Sequence, residues 1–375
     1  MTVALIAYYL GPRLGIGQYL DRLLPPLVDA LEQRGIKPLI FSSPNALEKT
    51  PALQKLSAYV EVVPELDASP GKRYVWLATK FRGVCDRANI QQVVWLSNPV
   101  LLPWHPPSIA VIHDVNEWKA KEKYGSRLKT ALRSLIYLDA SIKLSQRVIA
   151  VSQATADDIL HFRPQPALKR KLSVIPNGAD SALASLSPVD IPAGERPFLL
   201  SVGRIDPAAK RLPEAVRLVE SLREHSNQDW ALQMVGGMNA STQSEGEAFL
   251  SSVESLPWVQ YQGHVNDAEL AQWYRQASAV VYLSASEGFG LPIAEAASFK
   301  QWVVVNEANQ AALEAGKGSI IPIDISDHAT AKDAAASRVL AQLGANETPN
   351  PAESLPTWQD GAERYTDAIA QLINA

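Results

Sequence analysis

Residues 284–298 read SASEGFGLPIAEAAS and directly follow an apolar run at residues 280–283. The apolar run predicts a buried strand, the glycines predict a turn, and the segment around Pro292 predicts the start of a helix. Backbone N–H groups at such a helix start attract an anion, while the carboxylates of Glu287 and Glu295 can accept hydrogen bonds from hydroxyl groups. The segment therefore predicts an α/β fold with a site for a ligand that has both phosphate and hydroxyl groups. The alternative is an ordinary buried strand followed by a capped helix.

Apolar strand candidates alternate with helical patterns along the chain, which is typical of parallel sheets with crossover helices. A helix is predicted at about residues 19–34, and strands are predicted at residues 3–7, 38–41, 60–63, 93–95, 109–112, 148–151, 172–175, 198–202, 231–235, 259–262, 280–283 and 303–305. A connector rich in Pro, Ala and Ser at residues 181–197 divides the series. We predict two Rossmann-like domains, at residues 1–185 and 186–355, that face one another across a cleft, and a helical segment at 356–375.

The composition agrees with this organisation, because 375 residues suffice for two α/β domains with separate cores. Charged residues form 20% of the chain and hydrophobic residues 47%, which is typical of soluble globular proteins. No apolar run approaches the length that crosses a bilayer, and the start MTVALIAYYLGPR lacks the features of a secretory signal. We therefore expect a cytoplasmic protein. The single cysteine, Cys85, excludes an internal disulfide and is expected to be a buried thiol.

The net charge of −4 hides an asymmetry between the two parts of the chain. Residues 1–185 contain 23 Lys and Arg against 15 Asp and Glu, a net +8, whereas the remainder contains 12 against 24, a net −12. The basic excess is greatest at residues 119–147, and two interpretations remain open. The segment contacts an anionic membrane or a phosphate-bearing acceptor, or it is a solvated helix whose core-facing stripe is Leu128, Leu132, Leu135 and Ile136. No basic and aromatic motif of a nucleic-acid-binding module is present.

Further polar residues follow predicted strands, where ligands of parallel sheets bind. SVGRIDPAAKRL places Arg204 at a strand end and Lys210 near the next helix, so both cations can neutralise a diphosphate. SIAVIHDV ends a strand with His113. GPRLGIGQY supplies Gly15 and Gly17 between the first strand and helix, where the chain can pass close to a ligand. This loop lacks the third glycine of a dinucleotide fingerprint, and the sequence contains no recognisable metal-ligand set.

The stretch from SVGRIDPAAKRL to SASEGFGLPIAEAAS resembles the paired-glutamate motif of retaining glycosyltransferases of the GT-B fold, in the large family of bacterial mannosyl- and glucosyltransferases. The resemblance covers essentially the full chain. It implies a hexosyltransferase of polysaccharide biosynthesis that needs no metal ion or cofactor. The donor, an NDP-sugar, would bind mainly the second domain, and a saccharide or lipid-linked acceptor the first. The resemblance also implies that the last helix crosses back to the first domain. If the basic segment 119–147 contacts a membrane, the protein works at the inner face of that membrane.

The resemblance implies a role for each matching residue. Catalytic roles fall to His113, Glu287, Arg204 and Lys210, with His113 beside the donor sugar, Glu287 on the transferred sugar and the two cations on the diphosphate. Glu295 would bind the ribose hydroxyls. Further donor contacts are expected from Gly15, Gly17, Gly263, His264, Gly288, Phe289, Gly290 and Leu291, of which Gly263 and His264 match the loop that meets the nucleobase.

The residues leave several alternatives open. GDP-mannose and UDP-glucose are both reasonable donors. A phosphorylase of related fold would form a sugar phosphate instead, and a non-catalytic scaffold or peripheral membrane protein would bind without turnover. One departure from the family pattern is the stretch 300–303, Lys-Gln-Trp-Val, where many relatives have a small residue and then Pro-Val. No particular sugar is inferred from that region.

Overall fold

The computed structural model describes residues 1–9, 15–97, 105–119, 127–192, 194–238, 242–326, 329–345, 347–350 and 355–373. The chain divides into two compact units. Unit 1 comprises Met1–Gly178 and Pro356–Ala375, and unit 2 comprises Ala179–Leu355. None of the described helices combines the length and the apolar composition that crossing a bilayer requires.

Unit 1 is built on a seven-stranded parallel sheet. Its strands are β1 (Thr2–Ile6), β2 (Lys37–Ser42), β3 (Val60–Val62), β4 (Ile90–Trp95), β5 (Ser108–Ile112), β6 (Arg147–Ala150) and β7 (Leu172–Val174). The spatial order is β3-β2-β1-β4-β5-β6-β7, so the direction of winding reverses between β1 and β4. This reversal is the switch point at which open α/β sheets leave a crevice beyond the carboxyl ends of their strands.

The helices of unit 1 are α1 (Gly15–Gln33), α2 (Pro44–Lys49), α3 (Pro51–Lys55), α4 (Pro70–Thr79), α5 (Phe81–Arg87), α6 (Asn116–Lys119), α7 (Arg127–Ser134), α8 (Ala140–Leu144), α9 (Gln153–Phe162) and α10 (Pro166–Lys171). Short 3₁₀ turns lie at Ser57–Tyr59 and Pro64–Asp67, and a π-helical turn at Leu135–Asp139 joins α7 to α8.

The chain's last helix, designated α18 (Trp358–Ile373), completes unit 1 by packing against α1. The Tyr19 hydroxyl donates a hydrogen bond of 2.9 Å to the Tyr365 hydroxyl, and both rings are buried. The start of α18 also lies close to Gly178, where an added Cβ would be 2.4 Å from the backbone nitrogen of Trp358. Only a glycine therefore allows this approach.

Unit 2 contains a six-stranded parallel sheet in the order β10-β9-β8-β11-β12-β13. Its strands are β8 (Phe198–Val202), β9 (Ala231–Val235), β10 (Val259–Gly263), β11 (Ala279–Tyr282), β12 (Val303–Asn306) and β13 (Ile320–Ile323). Its helices are α11 (Pro207–Lys210), α12 (Leu212–Ser226), α13 (Gln243–Val253), α14 (Asp267–Gln276), α15 (Leu291–Ser298), α16 (Gln310–Ala315) and α17 (Ala329–Gly344), with a 3₁₀ turn at Ala182–Ser185. The switch point lies between β8 and β11.

The predicted fold class, two Rossmann-like α/β units with parallel sheets, is confirmed. One strand was not predicted. Among the described strands β13 pairs only with β12, and Pro322 lies opposite Val305 in the register. Proline cannot donate a hydrogen bond to a sheet ladder and is tolerated at an edge. Pro322 argues against a strand in the sequence, but it is compatible with the edge position of β13.

In unit 1 one local prediction is wrong, and one part of an open interpretation is not supported. Gly15 and Gly17 lie in the first turn of α1 rather than in the loop before it, and Gly15 has no atom within 4 Å of an added Cβ. The helix begins about four residues before the predicted start, because an N-terminal turn needs no apolar periodicity. Leu128, Leu132 and Leu135 are exposed, so they do not form a core-facing stripe. The side chain of Ile136 and residues 120–126 of the basic segment lie outside the described part.

Candidate active site

The switch point of unit 2 brings together residues from two sequence motifs. Strands β8 and β11 are neighbours in the sheet, and the chain leaves β8 toward Arg204 and Lys210 and leaves β11 toward Glu287. Because the strands are parallel, both exits lie at the same edge of the sheet. Arg204, Lys210 and Glu287 therefore lie at one edge of the unit 2 sheet.

Lys210 and Glu287 form an ion pair at this edge. The Lys210 ammonium donates to Glu287 Oε1 at 2.6 Å and to the Tyr282 hydroxyl oxygen at 2.7 Å. The side chains of Lys210 and Glu287 are 18% and 21% exposed, so solvent screens the pair only in part. An ammonium has three N–H donors. Two of them are directed to Glu287 and Tyr282, which fixes the position of the charge.

The three groups shift one another's pKa values. Burial opposes the charged form of Lys210, but Tyr282 and Glu287 outweigh burial and raise the pKa of the ammonium above its ordinary value. Burial would raise the pKa of the Glu287 carboxyl, but Lys210 outweighs this effect and lowers it. Burial, followed by the charge of Glu287, raises the pKa of the Tyr282 phenol. At neutral pH the pair is therefore charged on both sides, and the phenol is neutral.

Arg204 is held by a different carboxylate. Its Nη2 donates to Asp206 Oδ2 at 2.8 Å, and Asp206 Oδ1 accepts from the N–H of Ala209 at 3.1 Å as the N-cap of α11. The Nε of Arg204 is buried and has no hydrogen-bond partner in the described structure. A buried donor without an acceptor is unfavourable, so an acceptor brought to this nitrogen would stabilise it.

The glycine turn before α15 is constrained by its backbone. Gly290 adopts φ 96° and ψ 60°, and an added Cβ would lie 2.9 Å from Cδ1 of Ile293. Gly290 is the N-cap of α15 and supplies no side-chain cap, and Pro292 lies in the first turn. In the described residues the backbone N–H groups of Phe289, Gly290 and Leu291 have no acceptor. The turn thus presents free N–H groups at the positive end of a helix.

The two glutamates of the motif have different surroundings. Glu287 is partly exposed and paired with Lys210. Glu295, on α15, is 1% exposed, and its Oε2 accepts a hydrogen bond of 2.9 Å from the hydroxyl of Tyr274. The ring of Tyr274 stacks on Phe299 with centroids 5.1 Å apart. The two carboxylates therefore have separate partners.

Strand-end glycines line the same edge of the sheet. Gly203 has φ 137° and Gly236 has φ 142°, and an added Cβ at Gly236 would lie 1.9 Å from the carbonyl oxygen of Gly203. The N–H of Gly236 donates to the Gly263 carbonyl at 2.8 Å, and Gly263 has φ 71°. Of these three glycines, only Gly263 was predicted to belong to the site. The sequence pattern that could have located them is a glycine directly after a buried strand. His264, next along the chain, is exposed.

In unit 1, His113 follows β5. Its Nε2 lies 2.8 Å from the carbonyl oxygen of Leu96, which can only accept, so Nε2 carries the hydrogen. Burial lowers the pKa of His113 despite this hydrogen bond and the nearby Asp114, which keeps the ring neutral. The ring meets Tyr19 edge-on at 4.7 Å. The tautomer leaves Nδ1 as an acceptor. The neighbouring Asp114 accepts from the N–H of Asn116 at 2.9 Å and so forms a local turn.

Among the residues that the structure describes, no group of three or more His, Cys, Asp or Glu side chains is placed to hold a metal ion. The charged groups of the site are instead Arg204 and Lys210 with their carboxylate partners.

Two α/β units with parallel sheets are the fold of the GT-B glycosyltransferases, and the fold of this chain matches theirs. Residues 188–327 match the family model described as "Glycosyl transferases group 1", and residues 24–183 match that described as "Glycosyltransferase Family 4". Both parts of the chain therefore match glycosyltransferase families, and the chain is a glycosyltransferase that takes a sugar from a nucleotide sugar.

Individual relatives agree with this assignment. The chain is 26% identical to a D-inositol 3-phosphate glycosyltransferase of Kineococcus radiotolerans, over 86% of this chain and 82% of that protein. Its fold is similar to sucrose-phosphate synthase from Thermosynechococcus elongatus, with a TM-score of 0.70, 19% identity, and coverage of 100% of this chain and 99% of that one. It is also similar to HepE of Anabaena in complex with UDP and glucose, with a TM-score of 0.63, 15% identity, and coverage of 100% and 97%.

Proposed function

We propose that this chain is a retaining hexosyltransferase that moves a sugar from an NDP-sugar to a saccharide or lipid-linked acceptor without a metal ion. The observation that supports this most directly is the fixed ammonium of Lys210. Its hydrogen bonds to Glu287 and Tyr282 leave one N–H donor at the carboxyl edge of the sheet. This N–H donor is suited to bind a diphosphate.

The diphosphate needs more than one cation for its charge to be compensated. Arg204, whose Nε is unpartnered, and the free N–H of Leu291 provide further donors beside Lys210. Charge-assisted hydrogen bonds contribute about 1.5–3 kcal/mol each, so this set can stabilise a departing diphosphate without a divalent ion. Donors aimed at developing charge stabilise the transition state more than the ground state.

The sugar would lie between the diphosphate donors and Glu287. In the proposed step the bond from the anomeric carbon to the phosphate oxygen breaks, and a bond from that carbon to the acceptor oxygen forms on the same face. Because the new bond forms on the face that the phosphate leaves, the configuration is retained. The acceptor's proton passes to the leaving phosphate. Glu287 stabilises the positive charge on the sugar, and His113 borders it with its neutral ring.

The remaining donor contacts are those that the family resemblance implies. Glu295 binds the ribose hydroxyls in exchange for its hydrogen bond from Tyr274, and Gly263 with the exposed His264 meets the nucleobase. The turn residues Phe289, Gly290 and Leu291 contribute backbone N–H groups. GDP-mannose and UDP-glucose both remain candidate donors. UDP-glucose is the first to test, because HepE was crystallised with UDP and glucose.

The donor can be identified by a thermal-shift screen over nucleotide sugars, followed by hydrolysis and transfer assays with the nucleotide sugar that stabilises the protein. Arg204→Ala and Lys210→Ala should abolish both the shift and the turnover. Arg217→Ala is the matched control, because Arg217 pairs with Glu214 on α12 of the same unit at 3.5 Å and belongs to no predicted site. Sugar phosphate formed with inorganic phosphate would indicate a phosphorylase. If no nucleotide sugar changes the melting temperature, the proposal fails.

A further inference from the structure

The carboxylate of Asp206 has two oxygens, and each one holds a different segment at the carboxyl edge of the unit 2 sheet. Oδ2 accepts a hydrogen bond of 2.8 Å from Nη2 of Arg204. Oδ1 accepts one of 3.1 Å from the N–H of Ala209 as the N-cap of α11, whose last residue is Lys210. Asp206 is only 8% exposed. One buried side chain therefore joins the two segments that carry the cations of the site.

The chain on which this ion pair rests is rigid. Ile205, which lies between the two partners, is 2% exposed and packs in the core cluster of unit 2. Its N–H donates to the carbonyl of Gly237 at 3.0 Å. Arg204 and Asp206 thus flank a residue that is anchored through both its side chain and its backbone. Their pairing is a local property of this fixed segment.

Helix α11 depends on Asp206 for its first turn. It has only four residues, and so short a helix is not stable by itself. Asp206 provides the side-chain cap and also the carbonyl that accepts from the N–H of Lys210 at 2.9 Å. The helix ends directly afterwards, because Arg211 adopts the left-handed conformation with φ 53°. The backbone position of Lys210 therefore depends on Asp206.

Capping alone does not account for a carboxylate at position 206. Serine and asparagine are N-caps of about the same quality as aspartate. Aspartate differs in its second charged oxygen, which accepts from Arg204. A guanidinium is planar, so a bond that fixes Nη2 also fixes the plane of its remaining N–H donors. The Arg204 side chain is 32% exposed, so a ligand can reach it from solvent.

We propose that Asp206 is a positioning residue of the nucleotide-sugar site, which orients the guanidinium of Arg204 and the turn that carries Lys210 before a diphosphate binds. The inference rests on the proposed function, in which these two cations bind the diphosphate. Groups that are oriented in advance need no reorganisation in the transition state. The negative charge of Asp206 opposes phosphate binding, so its presence should raise kcat while lowering the affinity for the diphosphate.

Asp206→Asn separates orientation from charge and from capping. An amide has a single acceptor oxygen, so the variant can cap α11 but cannot also accept from Arg204. Calorimetry on the whole protein should show UDP and GDP binding that equals the wild type or is up to about fivefold tighter. With UDP-glucose or GDP-mannose, whichever the wild type turns over, kcat should fall at least about tenfold. The melting temperature should not change.

Two further substitutions test the two hydrogen bonds of Asp206 separately. Asp206→Ser keeps a capping hydroxyl without a second oxygen, so it should show the same loss of kcat at unchanged nucleotide affinity. Asp206→Ala removes the cap as well. Its melting temperature should fall by about 2–4 °C, and its kcat should fall further than in the other two variants.

A measurement on the guanidinium itself needs no substrate. Because Nε of Arg204 is buried, its N–H should give a slowly exchanging ¹⁵N resonance, which Arg204→Lys identifies by its loss. In Asp206→Asn this N–H should exchange at least about tenfold faster. Asp229→Asn is the matched control, since Asp229 accepts from Arg223 in the same unit and belongs to no predicted site. The control should leave nucleotide binding, kcat and the Arg204 resonance unchanged.

The outcomes distinguish this inference from the proposed function. A lower kcat at undiminished UDP or GDP affinity, together with faster exchange at Arg204, supports the positioning role. A wild-type kcat in Asp206→Asn and Asp206→Ser overturns the role and leaves the diphosphate site as proposed. A loss of affinity that accompanies the loss of kcat also overturns it. If the wild type binds neither UDP nor GDP, the proposed function fails and this inference fails with it.

Discussion

The ammonium of Lys210 lies 2.6 Å from a carboxylate oxygen of Glu287, although 77 positions separate the two residues in the chain. The pair joins the helix after β8 to the loop after β11 and so ties the two sides of the switch point together. We expect its strength to affect the stability of unit 2 and, under the proposed function, the binding of the donor diphosphate.

Lys210→Met should destabilise the protein by about 2–3 kcal/mol, because it leaves the largely buried Glu287 carboxylate without a counter-charge. Transfer activity should fall at least about 100-fold through loss of the cation. In Lys210→Met/Glu287→Gln much of the stability should return while activity does not. Chemical denaturation and kcat/KM measurements on the four members of this cycle check the prediction. Additive losses would show that the pair is not coupled.

Tyr282→Phe should reduce kcat by about tenfold with little change in KM for the donor, because the ring remains but the Lys210 ammonium loses one of its two acceptors. The loss of one hydrogen bond should cost about 1 kcal/mol in the free energy of unfolding. Tyr59→Phe is the control, since its hydroxyl bonds Glu32 on the surface of unit 1. A kcat equal to that of the wild type would remove Tyr282 from the site.

Gly178→Ala should destabilise unit 1 by about 1–3 kcal/mol through overpacking. The new Cβ would lie 2.4 Å from the nitrogen of Trp358 and 2.5 Å from its ring, so the start of α18 must move. Amide exchange in α18 should accelerate more than exchange in the sheet of unit 2. Gly15→Ala, at a position with no atom within 4 Å, should leave both properties unchanged.

His105 gives unit 1 a dependence on pH. Burial lowers the pKa of His105 to about 4, and the ring stacks on Trp95 at 5.9 Å. The unfolded chain therefore binds this proton more readily than the folded one, so stability falls as pH drops below the unfolded value of about 6.5 toward 4. Between pH 7 and pH 5 the wild type should lose about 2 kcal/mol more than His105→Phe. A pair of denaturation series at these pH values measures the difference. His264→Asn, at an exposed position, is the control.

The alternation of apolar strands and helical patterns was enough to predict both sheets, because every strand of a parallel sheet must bury an apolar segment. β13 was not predicted because a strand tolerates Pro322 only at the edge of a sheet, and the sequence does not show which strand lies at an edge. The motif residues Arg204, Lys210 and Glu287 were found because each follows a strand. Whether a given side chain contacts ligand remains a prediction for all of them.

Other features depend on contacts between distant segments and could not be predicted. Tyr282 lies at the end of a buried strand, where a tyrosine is expected to be a core residue, and only the fold brings its hydroxyl to Lys210. The outward direction of the apolar face of α7 depends on Arg163, which donates a hydrogen bond to Asp139, 24 positions away in the chain. Periodicity gives the apolar face of a helix but not the direction in which that face points.

The docking of α18 on α1 has a consequence for synthesis on the ribosome. Unit 2 is one continuous stretch of chain, whereas unit 1 needs residues on both sides of it. While unit 2 emerges, the face of α1 around Tyr19 lacks Tyr365 and is uncovered. The unit that is started first is thus finished last, and the nascent chain presents a temporary apolar surface to chaperones until residues 358–373 have been made.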